Sequence, residues 1–184
     1  MQVTGGQIKG NRLAVPRRPA VRPTTNMARQ AIFSILENTA VDWCRVLDLY
    51  AGSGTLGIEA LSRNAEWADF VDQNRKCCDI IKRNLEKARL SDKAHVYCCS
   101  AHKAIAFLNN KYDIVFIDPP YSDPTANDLM ANLALSKLLV ENSVVVVCHG
   151  NRFPLNSSHD GLNLVKERHY GDTFLSIYQM EPRS

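Results

Sequence analysis

Val46-Leu47-Asp48-Leu49-Tyr50-Ala51-Gly52-Ser53-Gly54-Thr55-Leu56-Gly57 is the stretch whose reading decides the fold. A short apolar run passes directly into a G-x-G-x-x-G loop that opens a helix. Glycines at 52 and 54 let backbone pass close to a ligand, and Gly57 lets the helix pack tightly on the sheet. The next apolar run, Ala68 to Val71, leads into Asp72, 20 residues after Gly52. At that spacing a carboxylate accepts hydrogen bonds from a ribose diol. The combination points to an adenosine-containing ligand. A bare strand-to-helix turn would use the same glycines but would have no need of Asp72.

Outward from this unit, short apolar runs alternate with helical patterns. Val46 to Tyr50, Ala68 to Val71, Ala94 to Cys99, Ile114 to Ile117 and Val144 to Cys148 read as strands, with helices over 55–63, 74–90, 101–109 and 125–139. That order predicts a parallel sheet with right-handed crossovers. Leu162 to His169 and Thr173 to Gln179 are separated only by Tyr170-Gly171-Asp172, which permits only an antiparallel hairpin. The expected fold is α/β and Rossmann-like: a mostly parallel seven-stranded sheet with an antiparallel C-terminal hairpin. Upstream, Gly10-Asn11 reads as the turn of a short N-terminal β-hairpin, and Pro16, Pro19 and Pro23 keep the following segment extended. A helix is expected from Thr25. Its stripe of Ala28, Ala31, Ile32, Ile35 and Leu36 leaves Arg29 and Gln30 off the buried face.

Dinucleotides and S-adenosylmethionine both use such a glycine loop. Asp48 argues for the second, because a carboxylate near the ligand's polar tail repels a pyrophosphate and attracts a methionine ammonium. As an alternative, Asp48 is a strand-end residue bonding local backbone amides. The fourth strand ends in Asp118-Pro119-Pro120-Tyr121, at the carboxyl edge where open α/β sheets place their chemistry. Two prolines stiffen the turn and remove two donors, leaving the Asp118 carboxylate and the Pro119 carbonyl as acceptors. Such a pair suits an exocyclic amine. Tyr121 is placed to stack on the base that carries it.

The chain has 184 residues, with 22 Lys and Arg against 19 Asp and Glu and 45% hydrophobic residues, a profile of one ordinary globular domain. The longest apolar run, Val144 to Cys148, is far too short to span a membrane, and no secretory h-region opens the sequence, so a cytosolic protein is expected. Six cysteines without CxxC or zinc spacing read as reduced core thiols, Cys77 among them through its spacing with Ile81, Leu85 and Ala88, and no metal is expected. The net charge of +3 is unevenly spread. Lys9, Arg12, Arg17, Arg18, Arg22 and Arg29 give the first 30 residues +6 with no acid, so the remainder carries −3. A basic arm over residues 1–24, before a domain over 25–184, suggests a polyanionic partner whose phosphates meet Lys9, Arg12, Arg17 and Arg18. A solvated charge run is the alternative. His169, beside the final hairpin turn, reads as a surface histidine, with RNA contact as its alternative.

On these residues the chain resembles class I S-adenosylmethionine-dependent amino-methyltransferases, and more narrowly the bacterial RsmD-type family of 16S ribosomal RNA guanine-N2 methyltransferases. The likeness runs through Val3-Thr4-Gly5-Gly6, Arg22-Pro23-Thr24-Thr25, Leu47 to Gly54, Phe70-Val71-Asp72, Asp118 to Tyr121 and Tyr170-Gly171-Asp172-Thr173. It implies a methyl-donor site formed by Asp48, Tyr50, Ala51, Gly52, Gly54, Asp72, Ser100, Ala101 and Asp118. It implies catalysis at Asp118, Pro119, Pro120 and Tyr121, and contact of Arg22, Thr25 and Arg29 with the target RNA in addition to the arm. A monomer acting on the small ribosomal subunit or an assembly intermediate is expected. Four positions depart from the family pattern: Asn26 for an acid, Gln30 for Glu, and Cys99-Ser100 for Gly-Asp. If that Asp accepts from the adenine amine, a neutral hydroxyl does so more weakly. Adenine N6 or a protein glutamine amide suits the same acceptor turn, a nicotinamide oxidoreductase shares the glycine loop, and a noncatalytic RNA-binding protein would keep the arm.

Overall fold

Alternation along the central strands sets the layers. Leu47, Leu49, Val115, Ile117, Val145 and Val147 enter one core, while Val46, Ile114, Phe116, Val144 and Val146 enter the other. A sheet buried on both faces must be covered on both. The computed structural model describes residues 1–16, 26–39, 41–120, 123–152 and 154–182. Its elements are α1 (Asn26–Glu37), β1 (Arg45–Leu49), α2 (Thr55–Ser62), β2 (Trp67–Asp72), α3 (Arg75–Ala88), β3 (Ala94–Cys98), α4 (Ala101–Phe107), β4 (Tyr112–Ile117), α5 (Ala126–Leu135), β5 (Leu139–His149), β6 (Ser158–His159), β7 (Leu162–Tyr170) and β8 (Thr173–Met180). Side chains of α1, α2 and α3 such as Phe33, Ile58 and Ile81 fill one core, and those of α4 and α5 such as Ile105 and Met130 fill the other.

The sheet order is β3-β2-β1-β4-β5-β8-β7-β6. β1 to β5 are parallel to their neighbours, and β8 is antiparallel to β5 and β7. The expected hairpin is therefore present, but the strand count of seven is corrected to eight. Two residues, Ser158 and His159, pair with Asn163 and Leu162 at the edge, too short a run for any periodicity to reveal. The helix expected to reach 139 stops at Leu135, where Ser136 begins an extended turn. β5 starts early, at Leu139 opposite Tyr112, and bends at Asn142 (φ 64°) before resuming at Ile114 and Val144. Ser143 holds the bend by accepting from the Val140 amide and donating to the Tyr112 carbonyl.

The N-terminal hairpin has one bridge, Gln2 with Arg12. The expected turn at Gly10-Asn11 is present, with the Asn11 amide donating to the Ile8 carbonyl at 3.1 Å and Gly10 at φ 89°. Residues 4–8 also bond α2. The Thr4 amide and hydroxyl donate to the two Glu59 oxygens at 2.8 and 2.7 Å, and the Gln7 amide donates to the Ser62 carbonyl. Gly6, at φ 74°, lies so close that a Cβ would stand 1.9 Å from that carbonyl. Val3 and Leu13 join the core.

Arg29 corrects another expectation. It is 1% exposed, with Nη2 donating to the Gln2 carbonyl and to Asn26 Oδ1, because the docked hairpin covers that side of α1. On α3 the buried cysteine is Cys78, in line with Ile81, Leu85 and Ala88, while Cys77 is half-buried. Cys148 is also buried, but Cys44 and Cys98 are exposed, so only part of the thiol set is core. Among the described residues, no helix is long and apolar enough to cross a membrane.

Candidate cofactor and acceptor site

The carboxyl ends of β1, β2 and β4 lie side by side, which brings Asp48, Asp72 and Asp118 to one edge. Asp48 is 1% exposed and accepts from the Gly57 amide at 2.9 Å through Oδ2, so the local-amide reading of this residue is present in the structure. Burial raises its carboxyl pKa to about 8. The Gly57 bond opposes the rise, while the charges of Asp118 and Asp72 add to it. Asp72 accepts from the Gly52 amide through one oxygen and the Asn74 amide through the other, both at 2.8 Å. Burial pushes its pKa up, against those two bonds. Each carboxylate oxygen keeps a further lone pair for a ligand hydroxyl.

The three glycines serve different ends. Gly52 (φ 58°) faces open space, with nothing within 4 Å of where a Cβ would stand, so a ligand can approach its backbone. Gly54 (φ 78°) instead faces Ile81 and Phe70, and its positive φ is what requires glycine. At Gly57 a Cβ would fall 2.3 Å from the Phe70 ring, which is the close helix-to-sheet contact the loop motif predicts. Ala51 is buried, its amide donating to the Val71 carbonyl. Tyr50 holds φ 58° without being glycine, a conformation that costs of order 1–3 kcal/mol. Its hydroxyl donates to Asp123 Oδ2 at 3.3 Å, tying the glycine loop to the segment after β4.

Asp118 follows β4 directly, half-buried, with its amide directed at the Leu49 carbonyl at 3.4 Å. Pro119 is buried, and the Pro120 carbonyl accepts from the Asp123 amide. Asp123 also accepts from the Thr125 amide and hydroxyl at the head of α5. Those bonds hold its pKa low despite burial. Sequence reading missed Asp123, although a carboxylate two residues before Thr125 at a helix start is a capping signature. Ser100 is the N-cap of α4, accepting from the Lys103 amide at 3.3 Å, and Ala101 is buried beneath it.

Tyr121, Arg17, Arg18, Arg22 and Thr25 lie outside the described residues. Lys9 and Arg12 are exposed. The Arg12 carbonyl accepts from Lys87 Nζ, and Asn84 of α3 grips Ala14 through both its side-chain atoms, so the arm runs along α3. That helix exposes Arg75, Lys76, Lys82, Arg83 and Lys87 against Asp79 and Glu86. Basic surface is thus shared between arm and α3, a feature missed when charge was counted along the chain rather than around a helix. Arg29 lies beneath the hairpin rather than facing solvent. Among the described residues, no three His, Cys, Asp or Glu side chains form a metal-binding group.

The solved structure of yhhF from Escherichia coli, described as a methyltransferase, matches this fold with a TM-score of 0.85 and 29% identity, covering 100% of this chain and 99% of the other. Fold and site define a methyltransferase of the class I type. The family model described as Conserved hypothetical protein 95 matches residues 1–179. YlbH of Bacillus subtilis, named as an rRNA methyltransferase, is 34% identical over 182 residues, covering 97% of this chain and 98% of the relative. Ribosomal RNA small subunit methyltransferase D of Escherichia coli is 30% identical over 181 residues, covering 98% of this chain and 90% of the relative. The chain belongs to this RsmD-type family.

Proposed function

We propose that the protein transfers a methyl group from S-adenosylmethionine to the exocyclic N2 amine of a guanine in small-subunit ribosomal RNA. The observation that carries this reading is the meeting of Asp48, Asp72 and Asp118 at a glycine loop, where mutual repulsion helps raise Asp48 to about 8. A cationic ligand relieves that repulsion and a pyrophosphate worsens it, which argues against a nicotinamide dinucleotide. The residues fit the donor: Gly52 leaves open space beside its backbone, Asp72 keeps lone pairs for a ribose diol, and Asp48 answers an ammonium. Ser100 and Ala101 would border the adenine. When bound, S-adenosylmethionine supplies a methyl group activated on a sulfonium.

The chain's own part is orientation. An aromatic amine is a poor nucleophile because its lone pair is delocalised into the ring. Asp118 and the Pro119 carbonyl accept its two hydrogens and turn the lone pair out of the ring plane, toward the donor. Asp118 or water takes the proton once the new bond has formed. Tyr121 would stack on the base, which must leave its helix to enter. The segment 1–24, with Lys9, Arg12, Arg17, Arg18, Arg22 and Thr25, would hold phosphates together with α3, in a cytoplasmic protein acting as a monomer. The choice of guanine rests on the likeness to the ribosomal RNA methyltransferases, because the acceptor turn would equally suit adenine N6.

Radiolabelled methyl transfer to small ribosomal subunits and to naked 16S RNA, followed by nucleoside analysis, tests the reading. N2-methylguanosine is the expected product. Label in N6-methyladenosine, or none in RNA, would overturn it.

A further inference from the structure

A cleft of about 510 Å³ opens at the same carboxyl edge, beyond β5, where no role has been assigned. We propose that it is a subsite for the nucleotide next to the target guanine, whose base stacks on Phe174 and His169. The proposal rests on the RNA reading above and extends it from the reacting base to its neighbour.

Position comes first. Ile117 pairs with Val147, so Asp118 stands beside Cys148, and across β5 the partner of His149 is Phe174 on β8. The acceptor turn and Phe174 are therefore separated by two strand spacings, about 10 Å. The methyl-donor residues lie on the other side of β4, at the tips of β1, β2 and β3. A polymer presenting one base at Asp118 thus has the donor on one flank and this cleft on the other.

The wall of the cleft is aromatic and braced. Phe174 lies 4.0 Å from the His169 ring and 5.5 Å from the His149 ring, centroid to centroid. A single carboxylate, Glu167, braces both histidines. Glu167 meets His169 Nε2 through Oε1 at 3.4 Å and accepts from the Ser176 hydroxyl through Oε2 at 2.8 Å. Ser176 Oγ also lies 2.8 Å from His149 Nε2, and the other ring nitrogen of His149 faces the Gly150 carbonyl at 3.2 Å. His149 is 6% exposed, so one side of Phe174 rests on a locked interior ring. The platform is rigid before any base arrives, which lowers the entropic cost of stacking.

The remaining lining suits a nucleotide. Asn151 is exposed at the rim and carries both a donor and an acceptor, the complement of a base edge. Arg152 and Asp172 also line the cleft, each already engaged within the protein. Gly171 stands at the mouth at φ 62°, with nothing within 4 Å of where a Cβ would project, so the entrance is open. Aromatic wall and rim amide together suit a base of single-stranded RNA.

The test uses the full-length protein and two fluorescein-labelled oligoribonucleotides centred on the target guanine, one intact and one abasic at both neighbouring positions. His169→Ala is the main variant, because the side chain is 59% exposed and its loss leaves the fold intact. Asn151→Ala is the second. By anisotropy, the abasic change is expected to weaken wild-type binding about 5- to 10-fold, and His169→Ala to weaken binding of the intact oligomer by a similar factor. The two losses should not add, and the dissociation constant for S-adenosylmethionine should not move. In methyl-transfer assays the same variants should raise KM for RNA and spare kcat. If neither change alters binding, or if the two add in full, the subsite is refuted. Binding in this pattern while small ribosomal subunits and naked 16S RNA both remain unmethylated would refute the methylation reading and leave the subsite standing.

Discussion

Replacing Asp48 with asparagine isolates the most unusual electrostatic feature of the site. The carboxyl has a pKa of about 8 in the folded protein against an ordinary value near 3.8. Between those two values the folded state holds a proton that the unfolded chain has released, so stability falls as pH rises through that window and the effect vanishes below it. At about 1.4 kcal/mol per unit, the loss from pH 4 to pH 7 is of order 4 kcal/mol. Asp48→Asn keeps an acceptor for the Gly57 amide and removes this titration, so its stability should fall less than that of wild type over the same window. Binding should show the mirror image. At pH 7 Asp48 is mostly protonated, and a ligand ammonium favours the ionised form, so binding of S-adenosylmethionine should release protons, up to about one per ligand. Calorimetric titration at pH 7 in two buffers of different ionisation enthalpy counts that proton, and urea denaturation at pH 5 and pH 7 reads the stability slope. If wild type and Asp48→Asn release equal numbers of protons and share one slope, the proposed contact between Asp48 and a cationic ligand is wrong.

Asp118→Ala should reduce methyl transfer by about 10²- to 10³-fold, by analogy with removal of one catalytic hydrogen-bonding group, while equilibrium dialysis shows S-adenosylmethionine still binding. Asp72→Ala frees two backbone amides, those of Gly52 and Asn74, so cofactor affinity should drop about 10-fold or more with the loss of charge-assisted bonds; calorimetry would read it. Ser100→Asp keeps the cap on α4, because the two side chains cap equally well. It should tighten cofactor binding several-fold, and an unchanged constant would mean that position 100 does not meet the adenine. Neutralising Lys9, Arg12, Arg17 and Arg18 together should lower the slope of log binding constant against log salt by about 0.7 for each phosphate that is no longer neutralised. An unchanged slope would leave α3 alone as the phosphate-binding surface.

The strands of the central sheet were legible because burial on both faces demands runs such as Val144 to Val147, which little else requires. Gly57 was legible for a related reason: the contact that excludes a side chain there, with Phe70, recurs wherever a glycine loop feeds a helix against a sheet. Arg29 was not. Helical spacing identifies the stripe facing the sheet, but α1 is also covered by a hairpin that bonds Arg29 through the Gln2 carbonyl, and no periodicity within α1 reports that neighbour. The turn at Gly10-Asn11 was legible because its bond is local, from the Asn11 amide to the Ile8 carbonyl, whereas the docking of residues 4–8 rests on bonds to Glu59 and Ser62, more than 50 residues away. Asp48 was read as a ligand residue or a backbone acceptor; the structure shows the second, with the Gly57 amide donating to its carboxyl.

The docking of the first sixteen residues bears on how the chain is made. Ala14 waits for Asn84, 70 residues downstream, and Thr4 waits for Glu59. At about 5–20 residues per second, the basic segment stays without its partners for roughly 4–14 s after it is synthesised. During that interval it is an uncovered cationic tail whose apolar residues Val3 and Leu13 have no core to enter. The Met1 ammonium finally donates to the Leu13 carbonyl, so a tag fused at this end alters a bonded group. A tag placed beyond Glu181 leaves that bond intact.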